Sequence, residues 1–133
     1  MEMQMNTNER REELDKITER IIGCAYTVSS CLGSGFLEKV YENALAYELR
    51  KTELEVLQQF NIQVQYDGII VGDFSADLLV EKSILLELKA VKALDNIHQA
   101  QCMNYLKATG LSVCLLINFG SPKLEVKRIV NQF

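Results

Sequence analysis

The sequence predicts a mixed α/β domain of the α+β kind, in the order α-α-β-β-β-α-β-β, and three observations carry that prediction. Apolar residues recur at three- and four-residue steps up to Lys51, then alternate strictly from Phe60 onward. An Asp67-Gly68 pair between two apolar runs marks a two-residue hairpin. The nearly continuous apolar stretch from Val113 to Asn118 has the character of a strand in the middle of a sheet. With 133 residues, 48% of them apolar, the chain amounts to one domain, residues 1–133, with residues 1–13 a candidate mobile N-terminal segment.

The first helix is expected to start at Asn6 as N-cap, with Glu9 completing a capping box. Its stripe is Leu14, Ile17, Ile21, Cys24, Val28 and Cys31, and Gly33-Ser34-Gly35 ends it. A second helix runs from about Leu37 to Lys51, with Val40, Tyr41, Ala44, Leu45 and Leu49 facing inward. Phe60, Ile62, Val64 and Tyr66 then alternate with polar residues along a strand with one wet face. After the hairpin come Ile69 to Val71, a bulge or bend at Gly72, and Phe74 to Val80. Glu81-Lys82-Ser83 turns the chain into Ile84 to Ala90. Asp95 or Asn96 caps a helix that Gly110 stops after Thr109, and Glu125 to Val130 forms the last strand.

Composition excludes several classes. The apolar and charged fractions (48% and 24%) are those of a globular chain, not of a disordered or collagen-like one. The longest purely apolar run, Val113 to Ile117, is far short of a membrane span, so no membrane partner is expected. The first 13 residues hold no apolar core for a signal peptide, which leaves a cytoplasmic location as the expectation. The four cysteines and one histidine lack the clustered spacing of a zinc site. Cys24 and Cys31, about 10.5 Å apart along one helix, are too far apart to bridge. Residues 1–88 carry a net charge of −8 and residues 89–133 a net of +4. The overall −4 argues against strong non-specific binding to a polyanion and leaves room for a local basic face.

Three residues are out of place for buried strands. Glu87 and Lys89 lie two apart in Ile84 to Val91, so they share a face, and Asp77 lies within the preceding strand. If Glu81 to Ser83 form a three-residue loop, Val80 pairs with Ile84 and Asp77 stands opposite Glu87, their Cβ atoms about 4.5–5.5 Å apart. Like charges that close are destabilising unless a cation or proton lies between them. Oxygen ligands point to a hard cation such as Mg²⁺, which takes one or two carboxylates plus water and substrate phosphate. Lys89 could then orient or deprotonate an attacking water, or hold a phosphate. On spacing alone, a buried ion pair or surface positions on an edge strand explain the same residues equally well.

Gly35-Phe36-Leu37-Glu38-Lys39-Val40-Tyr41 reads G-x-x-E-x-x-Y. With Ala76 to Val80, Glu87 to Ala90 and Leu115 to Phe119, it resembles the GxxExxY protein family over about residues 14–130. That resemblance implies the PD-(D/E)xK nuclease superfamily and its restriction-endonuclease-like core, a mixed sheet flanked by helices. It maps Asp77 onto the motif aspartate, Glu87 onto the second acid and Lys89 onto the lysine, with Ala76 where the superfamily name has proline. Glu38 matches the acid that in related nucleases reaches the metal or its waters. Gln101-Cys102-Met103-Asn104-Tyr105 matches a Q-x-x-x-Y motif, whose two ends share a helix face and would support the site or touch phosphate. Tyr41 joins that supporting set.

The resemblance thus implies a Mg²⁺- or Mn²⁺-dependent nuclease acting on nucleic acid, DNA ahead of RNA. Asp77, Glu87 and Glu38 would hold the metal and Lys89 would serve the nucleophile. The alternative is a catalytically silent module of the same fold for nucleic-acid binding or oligomerisation. A homodimer is compatible with so small a domain. Taken without the resemblance, Glu38 and Tyr41 read as a helix-start carboxylate and a core aromatic. His98 is left out of the catalytic set. Lys92, Lys107, Lys123, Lys127 and Arg128 are candidates for a phosphate-facing patch, each with solvated surface as its plainer reading.

Overall fold

The computed structural model describes residues 6–131. Helix α1 (Thr7–Leu32) starts as its cap dictates: Asn6 Oδ1 accepts the Glu9 N–H at 2.8 Å, and the Glu9 carboxylate accepts the Asn6 N–H at 3.3 Å. Residues 1–5, the start of the candidate mobile segment, lie outside the described residues. Leu14, Ile21, Cys24 and Val28 are buried, but Cys31 is exposed. A seven-residue repeat slips against a 3.6-residue helix, and by Cys31 the stripe has turned about 100° from Leu14.

The turn into helix α2 (Glu38–Lys51) uses glycine where the backbone needs it, with φ +67° at Gly33 and +117° at Gly35. Tyr41 fastens this turn from below. Its hydroxyl donates to the Gly33 carbonyl (2.6 Å) and accepts the Phe36 N–H (3.2 Å), while its ring stacks on Phe119 at 4.6 Å. Tyr41, Leu45 and Leu49 face inward as expected, whereas Val40 is 39% exposed. Glu42 turns inward beside Tyr41, because it has polar partners to receive it.

Five strands follow: β1 (Val56–Tyr66), β2 (Ile69–Val80), β3 (Ile84–Lys89), β4 (Val113–Asn118) and β5 (Glu125–Val130). They form one mixed sheet in the order β1-β2-β3-β4-β5, antiparallel except for the parallel β3–β4 pair. Helix α3 (Asn96–Thr109) is the crossover that a parallel pair requires. Asp67 and Gly68 both take positive φ, +53° and +76°, the geometry of a tight hairpin turn matched to strand twist. The two pieces expected on either side of Gly72 are one strand, with a register shift where Val64 faces Gly72 and Gln65 faces Ile70. The expected mixed sheet flanked by helices is the observed architecture.

The sheet is covered on both faces. Leu78, Leu86 and Leu115 pack with Leu14, Ile21, Leu45 and Leu49 of α1 and α2. Leu79, Leu85 and Leu116 pack with Cys102 and Leu106 of α3. Each such side chain contributes about 1.5–3 kcal/mol of burial, enough to fix the sheet between its helices.

A polar clip holds the exit of β3. Asn118 is fully buried; its side chain accepts the Val91 N–H at 3.0 Å and donates to the Val91 carbonyl at 2.9 Å. The Phe119 N–H donates to the Lys89 carbonyl at 2.8 Å. Gly120 lies so close that an added Cβ would sit 2.4 Å from the Val91 backbone N and O. Gly120→Ala is therefore expected to destabilise the fold by about 1–3 kcal/mol, read as a lower urea midpoint. An unchanged midpoint would mean the clip yields freely.

Candidate active site

Strands β2 and β3 pair regularly through Val80 and Ile84, Leu79 and Leu85, and Leu78 and Leu86. This is the register expected from a Glu81-Lys82-Ser83 loop. One step further, Asp77 and Glu87 interrupt the ladder with their own side chains. Glu87 Oε1 accepts the Asp77 N–H at 3.1 Å, and Asp77 Oδ2 accepts the Leu88 N–H at 2.7 Å. Each carboxylate thus satisfies a backbone donor of the opposite strand. The two strands are held apart at this point, and the acids occupy the gap.

On the other side of Asp77, the β1 ladder is interrupted as well. Gln58 pairs with Leu78 and Phe60 with Ala76, while Gln59 between them has φ +56°. A non-glycine residue in that region costs about 1–3 kcal/mol, so its surroundings must hold it. Gln59 Nε2 donates to Glu42 Oε1 at 2.6 Å and reaches Asp77 Oδ1 at 3.4 Å. Glu42 Oε2 accepts from Lys39 Nζ at 2.9 Å and Gln58 Nε2 at 2.7 Å, leaving Glu42 only 3% exposed. Glu38, one helical turn before Glu42, lines a cavity of about 510 Å³ together with Glu42, Gln59 and Asp77.

Burial is the main cause that raises the Asp77 carboxyl above its ordinary range. The charges of Glu42 and Glu38 add to it, against the Leu88 N–H and the Gln59 amide. Glu87 is pushed up to about 8, first by burial and then by the charge of Asp77. The Asp77 N–H and the Lys89 ammonium act the other way. No arginine or lysine lies within ion-pairing distance of either acid among the described residues.

Lys89 is half-buried on the same strand as Glu87. Gln101 Nε2 donates to the Tyr105 hydroxyl at 2.8 Å, so the two ends of the Q-x-x-x-Y motif are bonded. The Tyr105 hydroxyl is itself raised, first by burial and then by the charge of Glu87. Tyr41 is not brought to the acids; it supports the turn that leads to Glu38. His98 caps α3, its Nδ1 accepting the Asp95 N–H at 3.2 Å. Arg128 is tied to Asp15 at 2.6 Å, and Lys92, Lys107, Lys123 and Lys127 are exposed.

Among the described residues, no three His, Cys, Asp or Glu side chains converge closely enough to enclose a metal ion. The donors brought together are the two carboxylates of Asp77 and Glu87, with Glu38 near enough for its charge to raise both. An oxygen-only pair with which no arginine or lysine among the described residues forms an ion pair suits a hard divalent ion that keeps several waters of its own. The residues present fit such an ion.

Sequence reasoning missed Glu42, Gln59 and Asn118. Glu42 shares a helix face with Glu38 at i+4, a signal that was open to use. Asn118, a polar residue ending an apolar run, was another. Nothing in the sequence marks Gln59 for a left-handed backbone.

A family model described as the PD-(D/E)XK nuclease superfamily matches residues 15–129, and the chain belongs to that superfamily. Nucleases of this superfamily generally use divalent metal ions. The crystal structure of SSO0001 superposes with a TM-score of 0.52 at 18% identity, covering 93% of this chain and 62% of that one. An alkaline exonuclease (LHK-Exo) from Laribacter hongkongensis gives a TM-score of 0.43 at 16% identity, covering 71% of this chain and 56% of that one. The chain therefore spans less than two-thirds of the length of either structure. No curated protein matches it significantly. No helix among the described residues is long and apolar enough to cross a membrane.

Proposed function

We propose that this chain is a divalent-metal-dependent nuclease of the GxxExxY group, hydrolysing phosphodiester bonds of DNA in preference to RNA. Mg²⁺ or Mn²⁺ would be the metal, and the setting a cytoplasmic homodimer. The reading is carried by one observation: Asp77 and Glu87 sit in a gap between strands, their charges opposed by backbone donors, the Gln59 amide and a nearby lysine, with no ion pair to either among the described residues. Asp77 and Glu87 would hold the ion, with Glu38 reaching it directly or through water. When bound, such an ion lowers the pKa of a water and stabilises charge on a phosphoryl oxygen.

The chain's own residues do the rest. Lys89, fixed by the Asn118 clip at the end of β3, positions the attacking water or takes its proton. Tyr105, held by Gln101, offers a hydroxyl to a phosphate oxygen. The Glu42–Gln59 bridge steadies Asp77 Oδ1 from the α2 side. Tyr41 sets the turn before Glu38.

Labelled single- and double-stranded DNA and RNA, incubated with Mg²⁺, Mn²⁺ or EDTA, test the proposal. Cleavage that appears with metal and stops with EDTA is expected; metal-independent cleavage would refute the metal role. A second reading, the silent module, is favoured by the fact that each acid already accepts a backbone N–H. It predicts no calorimetric signal for Mn²⁺ with every acid intact.

A further inference from the structure

We infer that the cleft between α3 and the β1–β2 hairpin is a nucleobase site, and that the strand entering the acid pair is single. This rests on the nuclease reading and adds the form of its substrate. The cleft has a volume of about 940 Å³, within the range of about 300–1,000 Å³ usual for ligand sites. It shares Gln101 and Tyr105, bonded to each other on α3, with the residues of the site just described.

The lining identifies the ligand. Among the described residues no carboxylate lines this cleft, in contrast to the cavity of Glu38, Glu42 and Asp77 on the α2 side. Its polar members include the amides of Gln63, Gln65 and Asn104, groups that both donate and accept and so match the mixed edges of bases. Phe74, 46% exposed and tilted against Tyr105 at 6.0 Å, presents an aromatic ring to the opening. Ile97, 77% exposed, gives a second apolar surface, and Lys107 is the one charged residue lining the cleft among the described residues.

Net charge points the same way. Binding to duplex DNA draws heavily on neutralising phosphates, and a chain of net −4 has little to offer there. Stacking on aromatic rings and amide contacts to base edges supply affinity without that charge, but only for bases that are unpaired and unstacked. An acidic catalytic site beside an amide-rich and aromatic cleft with a single lysine therefore selects single strands.

The test is fluorescence anisotropy on the full chain in EDTA, with dodecamers of deoxythymidylate and of uridylate and a 12-base-pair duplex. The uridylate arm separates RNA from DNA as the source of the strand. At least one single strand should bind about tenfold or more tighter than the duplex. Its affinity should fall less than about tenfold between 50 and 200 mM salt, since few phosphates are engaged. Phe74→Ala should weaken single-strand binding about tenfold, and Asn104→Glu, on the exposed face of α3, should do so without threatening the fold. Equal or tighter duplex binding, no single-strand binding, or unchanged affinity in both variants would overturn the inference. Cleavage by the same variants with Mn²⁺ separates the two readings. Metal-dependent cleavage with Phe74-independent binding leaves the nuclease and removes the base site; Phe74-dependent binding without cleavage does the reverse.

Discussion

Asp77→Asn is expected to reduce metal-supported cleavage by about 10³-fold or more while making the metal-free protein more stable. The asparagine side chain keeps an oxygen to accept the Leu88 N–H, which Asp77 Oδ2 accepts at 2.7 Å, so the gap between β2 and β3 stays intact. What it removes is the negative charge beside Glu87, one of the causes that push Glu87 up to about 8. Stability and activity should therefore move in opposite directions. A ligand to an absent cation behaves this way, because its charge is a cost until the cation arrives.

Lys89→Met provides the matching case. The apolar stem is retained and the ammonium lost, so cleavage should fall by about 10²–10⁴-fold if Lys89 serves the nucleophile. Here stability should fall too above about pH 8, where Glu87 is ionised and Lys89 is the cation that lowers it. If the two residues work on one step, the double variant should lose little more than the worse single variant. Kinetics with Mn²⁺ and urea midpoints on all three proteins check this. Cleavage retained within a few-fold in Asp77→Asn would leave the acids as backbone caps and nothing more.

The parts of the site that the sequence disclosed are those governed by local rules. A three-residue loop at Glu81 to Ser83 fixes the β2–β3 register, and the register alone brings Asp77 to Glu87. Gln101 and Tyr105 meet because i and i+4 always do on a helix. What stayed hidden depends on tertiary placement. Glu42 reads as a solvated helix acid until β1 delivers Gln58 and Gln59 against it. Gln59 takes a left-handed backbone that its residue type disfavours, and only the Glu42 contact and the interrupted ladder beside Asp77 make sense of it. Cys31 and Val40 lie outside the core although their three- and four-residue spacing fits the stripe, because small errors in a repeated step add up along a helix and turn such positions off the buried face.

Between pH 4.5 and 8, the metal-free protein is expected to become less stable as pH rises, by on the order of 4 kcal/mol from Glu87 alone. The unfolded chain releases the Glu87 proton near 4.5, while the folded protein keeps it until about 8. Across that window the folded state holds more protons, so raising the pH favours the unfolded chain; below 4.5 and above 8 this contribution is flat. Asp77, also raised, acts in the same direction. An acid stabilised by a salt bridge would do the reverse, gaining stability as pH rises. Urea unfolding at pH 5, 6, 7 and 8 distinguishes the two, and Glu87→Gln should remove most of the slope because an amide has no proton to lose. Mn²⁺ should counter the loss, since an ion that needs the deprotonated carboxylate competes with its proton. Its apparent affinity should therefore rise by up to about tenfold per pH unit until Glu87 has titrated. A stability that is level with pH, or that climbs from 5 to 8, would show that the two acids are relieved by some other partner. The metal would then have no vacancy of charge to fill at the gap between β2 and β3.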